Sequence, residues 1–210
     1  MAQFFSIHAT HPQVRLVRRA AEIVRGGGLI AYPTDSCYAL GCHLGDAHAV
    51  ERLRRVRGMD ARHNLTLMCR DLSEIAVYAM VDDAQFRLLK RVTPGSYTFI
   101  LRATREVPRR LAHPRRKTIG VRVPGHPVAH ALLAELNEPM LSATLLLAGE
   151  ALPPSDPVQI RAALEHQVDL VVDAGSCGIE PSTVIDLTGA TATVVRAGKG
   201  SLAPFAVAGV

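Results

Sequence analysis

The sequence contains no tryptophan, and all aromatic residues together make up only 4% of its 210 residues. A hydrophobic core must therefore be built mainly from leucine, valine, isoleucine and alanine. Hydrophobic residues still account for 48% of the chain, as in ordinary globular proteins, which argues against general disorder. We expect one domain over residues 1–210, with its core at about residues 12–200.

Cysteine is scarce too, and its spacing excludes the common metal motifs. The four cysteines, Cys37, Cys42, Cys69 and Cys177, form no C-x-x-C pair and lie at no zinc-finger spacing from a histidine. No tightly bound metal is therefore expected. The sequence also lacks an apolar run long enough to span a membrane and an apolar core of signal-peptide type. Free thiols without an export signal favour a cytoplasmic location.

The common signatures of catalytic and phosphate-binding loops are also missing. G-x-S-x-G, G-x-x-x-x-G-K-[ST] and G-x-G-x-x-G do not occur. Within "YPTDSCYALGC" (32–42), Ser36 and Cys37 are candidate nucleophiles, but nothing nearby in the sequence stabilises a thiolate. We interpret Cys37 as an inert, half-buried thiol and assign no catalytic residue.

What the chain does have is positive charge, with a formal net charge of +5 and a pI of about 9.3. Arginines cluster in "RLRRVRG" (52–58) and in "VPRRLAHPRRK" (107–117). The second stretch has two prolines and no apolar period, so it predicts an exposed loop. A solvated surface and an RNA or phosphate contact both remain open. The candidate RNA-binding residues are Arg109, Arg110, Arg115, Arg116 and Lys117.

Helical and strand-like segments alternate at close spacing along the chain. Residues 12–25 predict a helix stopped by three glycines, and Asp46 and Asp71 are placed to cap two further helices. The stretches "TVIDLT" and "ATVVRAG", separated by a glycine turn, predict a hairpin near the end of the chain. These features predict an α/β protein with a mixed sheet of about seven strands.

Seven stretches, taken in order, resemble the YrdC/YciO family, and the resemblance is strongest to its YciO branch. It covers nearly the whole chain, and it implies a single YrdC-like domain with a twisted sheet around a positively charged cavity. The seven stretches are "GGGLIAYPTDSCYALGC", "HNLTLMCRDLSE", "TPGSYTFIL", "KTIGVRVPGHP", "EPMLSATLLLAG", "STVIDLT" and "VVRAGKG".

The resemblance implies a threonylcarbamoyl-AMP synthase reaction. Such enzymes convert L-threonine, bicarbonate and ATP into threonylcarbamoyl-AMP and pyrophosphate, with Mg²⁺ assisting the nucleotide. The product serves modification of an adenosine next to the tRNA anticodon, and double-stranded RNA binding is also attributed to the family. The reaction requires that reactants be held in line and that phosphate charge be neutralised.

The resemblance also implies a set of pocket residues. Thr34 is expected to help place the amino acid, Arg122 to meet negative charge and Arg196 to face the nucleotide. Alternatively, Thr34 only caps a turn, and Arg122 forms a structural ion pair. The full set of expected substrate-binding residues is Thr34, Tyr38, Arg57, Arg122, Ser142, Thr144, Ser182 and Arg196.

Two departures from the synthase pattern affect the expected nucleotide end. The synthases read Lys-x-Arg-Pro where this chain has Arg57-Gly58-Met59-Asp60, and Ser-Thr-Ser-Ala-Asn where it has residues 142–146, ending in Leu146. Met59 removes a cation and Leu146 removes an amide. Two hypotheses follow: a synthase-like enzyme with weakened or altered activity, and a non-catalytic paralogue that binds double-stranded RNA or tRNA.

Overall fold

The computed structural model describes residues 1–59, 65–147 and 149–205, and it contains one large sheet with helices on both faces. The described strands are β1 (Gln3–Ser6), β2 (Ile30–Tyr32), β3 (Ala39–His43), β4 (Thr66–Met68), β5 (Ala79–Met80), β6 (Tyr97–Ala103), β7 (Thr118–Arg122), β8 (Met140–Thr144), β9 (Leu170–Asp173), β10 (Thr183–Asp186) and β11 (Thr193–Arg196). The described helices are α1 (Val14–Arg25), α2 (Ala47–Arg57), α3 (Leu72–Tyr78), α4 (Asp83–Val92), α5 (Pro127–Leu136) and α6 (Pro157–Leu164), followed by a 3₁₀ turn at Ala203–Phe205.

The sheet runs in the order β1-β9-β2-β3-β8-β4-β7-β6-β10-β11, and β5 pairs with β6. Strands β1 and β2 lie parallel to β9, β4 lies parallel to β7, and β6 lies parallel to β10, whereas the other pairs are antiparallel. The predicted α/β fold with a mixed sheet is confirmed, including the β10–β11 hairpin. The sheet has eleven described strands, more than expected, because strands as short as β5 show no alternation in the sequence.

The helix ends follow the predicted capping residues. The Asp46 carboxylate accepts a hydrogen bond from the Ala49 N–H at 2.9 Å, and α2 ends at Gly58 with φ of 61°. The Asp71 carboxylate accepts one from the Glu74 N–H at 2.8 Å. Among the described residues, no helix has the length and apolarity needed to cross a bilayer.

The two sheet faces are covered differently. On one face, Leu53 of α2 and Ile160 of α6 belong to an extended apolar core that includes Leu67 and Phe99. On the other face, α1 and α5 form a second apolar cluster with β2, β9 and parts of β3, β4 and β8. Farther along that second face, over β4, β7, β6 and β10, the floor is largely polar and a cavity opens there.

Candidate functional site

The cavity has a volume of about 330 Å³, within the usual range for small-molecule sites. Its floor is made by alternate residues of neighbouring strands, since successive side chains of a strand point to opposite faces. The polar floor residues include Thr66, Thr98, Thr118, Arg122, Ser142 and Thr144. The sheet therefore turns a row of hydroxyls and a guanidinium toward one small volume.

Thr34 lines the cavity but uses its hydroxyl within the protein. Its Oγ1 donates to the Cys37 carbonyl at 2.6 Å and accepts from the Ser36 N–H at 3.2 Å. The side chain is 3% exposed. Thr34 thus holds the turn that forms the cavity wall, as the turn-capping alternative predicted, and its hydroxyl proton is already committed.

Arg122, at the end of β7, is held by two residues of the same turn. Its Nη2 donates to Asp35 Oδ1 at 2.7 Å, and its Nη1 donates to Ser36 Oγ at 3.0 Å. The guanidinium is therefore both an ion-pair member and a lining group of the cavity. The structural ion pair stated as an alternative for this residue is therefore present, and the expectation that Arg122 meets the charge of a ligand stays a prediction.

Asp35 is the functional residue that the sequence reasoning missed. Besides Arg122, its carboxylate accepts from the Ser96 hydroxyl at 2.7 Å and from the Gly125 N–H at 3.0 Å, and its carbonyl accepts from the Lys199 ammonium. Burial alone would raise its pKa, but the Arg122 charge and these hydrogen bonds hold the pKa below its usual value. Asp35 is therefore ionised and fixes Arg122 in place.

Ser142 lines the cavity, but its hydroxyl proton and one of its lone pairs are used in hydrogen bonds within the protein. Its hydroxyl donates to the Leu40 carbonyl at 2.8 Å and lies 2.8 Å from the Tyr32 hydroxyl, which then acts as the donor. Burial raises the pKa of Tyr32 far above its usual value, so this phenol stays protonated. Ser142 can therefore offer a ligand at most an acceptor.

Ser182 and Arg196 form a second polar group beside Thr98. The Ser182 and Thr98 hydroxyls lie 2.8 Å apart, and Arg196 Nη2 donates to the Ser182 carbonyl at 2.8 Å. Arg196 pairs across the hairpin with Val184, which in turn lies beside Thr98. Burial lowers the pKa of Arg196, and the like charge of Arg122 acts in the same direction. Both guanidinium groups belong to residues that line the cavity.

Arg57 enters the cavity from the end of α2. Its Nη1 donates to the Leu146 carbonyl, and burial lowers the pKa of its guanidinium. Met59 and Leu146 line the cavity as well, so this end combines one cation with apolar surface. Asp60, the last residue of the altered motif, lies outside the described residues.

Two buried guanidinium nitrogens face no partner. Among the side chains of the described residues, the buried nitrogen or oxygen atoms without a hydrogen bond are Arg57 Nε and Arg122 Nε. Both residues line the same cavity. A buried donor without a partner is costly, but these two nitrogens expose almost no surface to the cavity. The hydroxyls and guanidinium groups that line the cavity are the groups that suit a ligand with hydrogen-bond acceptors.

Tyr38 and Cys37 take no part as reactive groups. Tyr38 is not among the described residues that line the cavity; its buried hydroxyl instead donates to the Gly175 carbonyl at 2.8 Å. Tyr38 directly precedes β3 and packs in the apolar core on the opposite face of the sheet, so its side chain lies away from the cavity. Cys37 lines the cavity, but burial raises the pKa of its thiol, which agrees with the inert interpretation.

The predicted RNA-binding residues lie in the loop between β6 and β7, and they differ in whether their side chains have partners within the protein. Arg110 donates to the Leu44 carbonyl at 3.0 Å, and Arg116 pairs with Asp186 at 3.4 Å. The side chains of Arg109, Arg115 and Lys117 are exposed and contact no partner among the described residues. Three of the five cations are thus free for an external anion.

The fold and site define a mixed α/β domain with a cavity lined by hydroxyls and guanidinium groups, which suits a small molecule with hydrogen-bond acceptors. The family model Sua5/YciO/YrdC, described as "Telomere recombination", matches residues 22–198. The chain belongs to this family.

Relatives of two kinds resemble the chain. The uncharacterized protein YciO of Escherichia coli (strain K12) is 57% identical over 205 residues, covering 98% of this chain and 100% of that protein. Its crystal structure superimposes with a TM-score of 0.94 at 56% identity, over the same shares of both chains. A threonylcarbamoyl-AMP synthase of Nitrosococcus oceani is 34% identical, covering 74% of this chain and 84% of the synthase.

A solved Sua5 structure gives a ligand for comparison. Sua5 of P. abyssi, crystallised in complex with L-threonine, matches with a TM-score of 0.85 at 27% identity. The match covers 93% of this chain and 57% of that one. The shared part is therefore the domain described above, and the remainder of Sua5 has no counterpart in the match.

Proposed function

We propose that this protein binds L-threonine and a nucleotide in the cavity and acts as a threonylcarbamoyl-AMP synthase-like enzyme with weakened or altered activity. The observation that carries the proposal is the convergence of three guanidinium groups, Arg57, Arg122 and Arg196, with a row of hydroxyls on one cavity. Family membership and the L-threonine complex of a Sua5 support the same ligand class.

The reaction requires two bond-forming steps. The threonine amine is carboxylated by bicarbonate, with loss of water, and a carbamate oxygen then attacks the α-phosphorus of ATP as the bond to pyrophosphate breaks. The protein's contribution is to hold the reactants in line and to neutralise phosphate charge. Arg122 is fixed for this purpose, and Arg57 and Arg196 supply the further positive charge.

Mg²⁺ is expected to arrive with ATP. The described residues that line the cavity include hydroxyls and guanidinium groups but no carboxylate. Mg²⁺ prefers oxygen ligands and keeps several waters, so it fits here on the phosphate oxygens, with threonine and serine hydroxyls nearby. Its role when bound is to neutralise phosphate charge.

The proposal is tested by two measurements on the whole chain. Calorimetry should show binding of L-threonine and of ATP–Mg²⁺, and a pyrophosphate-release assay should show turnover that needs threonine and bicarbonate. We expect Arg196→Ala to weaken ATP binding about tenfold, the scale of one charge-assisted hydrogen bond. Binding of neither ligand would overturn the proposal, and equal ATP affinities would remove Arg196 from the site.

The second candidate function is RNA binding without efficient turnover. The three exposed, unpartnered cations Arg109, Arg115 and Lys117 favour it, and their loop also supplies Leu111 to the cavity. Such binding should be electrostatic, with an affinity for an RNA duplex that falls steeply as salt rises.

Two multiple-replacement variants distinguish RNA binding by this loop from a general effect of the protein's positive charge. Replacing Arg109, Arg115 and Lys117 by glutamine should reduce the salt slope, whereas replacing the same number of exposed arginines on α1, Arg15, Arg18 and Arg19, should reduce it less. An RNA affinity that does not change with salt concentration, or that the triple replacement leaves unchanged, would exclude this loop as the RNA site.

A further inference from the structure

The hairpin of β10 and β11 lies at one edge of the sheet and carries one of the guanidinium groups of the cavity. Among the described strands, β11 pairs with β10 alone, and all four of its residues are exposed. Arg196 is its last residue and lines the cavity. An exposed edge strand is held by few buried contacts, so the placement of this guanidinium depends on the hydrogen bonds around it.

The turn that follows β11, residues 197–201, is held closely against the start of β10. The Gly198 N–H donates to the Thr183 hydroxyl at 3.0 Å, and the Lys199 N–H donates to the Pro181 carbonyl at 2.9 Å. A Cβ added at Gly198 would overlap with neighbouring backbone oxygens, so this close approach requires glycine. These contacts fix the backbone from which the Lys199 side chain extends.

The Lys199 side chain links this turn to the wall of the cavity that holds Arg122. Its ammonium donates to the carbonyl of Asp35, and the Asp35 carboxylate accepts from Arg122 Nη2 at 2.7 Å. One side chain therefore connects the hairpin that carries Arg196 to the residue that orients Arg122.

This link is placed where it affects geometry more than stability or direct ligand contact. Lys199 is exposed, and the hydrogen bond of an exposed ammonium contributes little to the stability of a fold. Lys199 is also not among the described residues that line the cavity. A ligand that contacts both Arg122 and Arg196 needs the two guanidinium groups at a fixed spacing, and a small displacement of one of them lowers its affinity.

We infer that Lys199 is a positioning residue, which sets the placement of Arg196 relative to Arg122 through its hydrogen bond to Asp35. The inference rests on the proposed function, since it concerns how the same cavity holds ATP–Mg²⁺. It assigns the Lys199 ammonium a role through the hairpin and not a contact with the ligand.

The first measurement needs no ligand. Lys199→Met removes the ammonium at similar side-chain length, and amide hydrogen exchange in peptides that cover β11 should become about threefold to tenfold faster. Lys90→Met, which changes the net charge equally at an exposed position of α4, should leave this exchange unchanged. Exchange in Lys199→Met at the wild-type rate would overturn the inference.

The second measurement is a double-mutant cycle on ATP–Mg²⁺ affinity, by calorimetry on the full chain. Lys199→Met should weaken binding about threefold to fivefold, and Lys199→Arg, which keeps a charged donor, should bind close to wild type. In the Arg196→Ala background, Lys199→Met should cause no further loss, because the group that it places is gone. An equal loss in both backgrounds would overturn the inference, since Lys199 would then act on the ligand through its own charge.

Urea denaturation separates positioning from a general loss of fold. Lys199→Met and Lys90→Met should unfold at the same urea midpoint as wild type, and a large fall for Lys199→Met alone would overturn the inference. If wild type binds ATP–Mg²⁺ and Lys199→Met binds it equally well, the inference is wrong while the proposed function stands. Wild type that binds no ATP–Mg²⁺ overturns both.

Discussion

The two ends of the cavity differ in how completely their polar groups are partnered. At the Arg122 end, Asp35 accepts hydrogen bonds from four residues, and both Nη1 and Nη2 of Arg122 are occupied. At the Arg57 end, one guanidinium lies among Met59 and Leu146 and donates to the Leu146 carbonyl, with no carboxylate of the described lining beside it. The first end is rigidly preorganised, whereas the second has lost the polar groups that the synthase pattern places there.

This contrast explains why weakened and not abolished activity is the better expectation. Preorganised donors stabilise developing charge without reorganisation, and the Arg122 end keeps them. The Arg57 end offers a nucleotide one cation and apolar contacts. Each missing donor of this kind commonly costs on the order of a hundredfold in rate.

The largest expected effect comes from breaking the preorganised end. Arg122→Met leaves the partly buried Asp35 carboxylate without its ion-pair partner, and we expect a loss of about 3 kcal/mol in the free energy of unfolding. Urea denaturation measures it. The double variant Arg122→Met/Asp35→Asn should recover part of the loss, because it removes the uncompensated charge. A loss below about 1 kcal/mol for the single variant would show that solvent compensates Asp35.

The second prediction concerns the Arg57 end of the cavity, where two replacements restore the polar groups of the synthase pattern. Met59→Arg with Leu146→Asn returns a cation and an amide to the cavity, and we expect ATP affinity to rise about tenfold, the scale of one charge-assisted hydrogen bond. Pyrophosphate release with threonine, bicarbonate and ATP should rise as well. The single variants serve as controls for additivity. No gain in any variant would mean that other residues hold this end in a different state.

A smaller effect concerns pH. The folded pKa of Asp35 lies below its unfolded value, so its ionisation contributes stability at pH values above about 4. That contribution is lost as pH falls through the lowered folded pKa. Urea unfolding of wild type and Asp35→Asn should therefore show a stability difference near neutrality that shrinks in acid. A difference independent of pH would assign the role of Asp35 to its shape alone.

The smallest expected effect concerns the reactivity of the Cys37 thiol, which lines the cavity. Burial raises the pKa of Cys37, so the folded protein should react with iodoacetamide far more slowly there than the protein unfolded in urea. Peptide mass spectrometry reports the modification of each cysteine. Cys177, which is partly exposed, is the internal comparison. Rapid modification of Cys37 in the folded state would reopen the question of a nucleophile.

Much of the fold and part of the site could be predicted from local sequence. Asp46 and Asp71 were recognisable as helix caps because their effect acts within three residues. The wall stretch "PTDS" was recognisable by composition and resemblance. The face on which Tyr38 lies could not be predicted, because the residue directly precedes β3 and a shift of one residue in register would place its side chain on the other face.

The sequence by itself determined the mixed α/β class, the capped helices, the altered residues Met59 and Leu146 and the supply of arginines, since these follow from periodicity, composition and resemblance. Only the tertiary structure decided which arginines share a cavity. Asp35 and Arg122 lie far apart in the chain, and their contact depends on the pairing of β7 with its neighbours. Likewise, Thr66 and Thr118 become neighbours only through that pairing, because strand register is set by packing over the whole sheet.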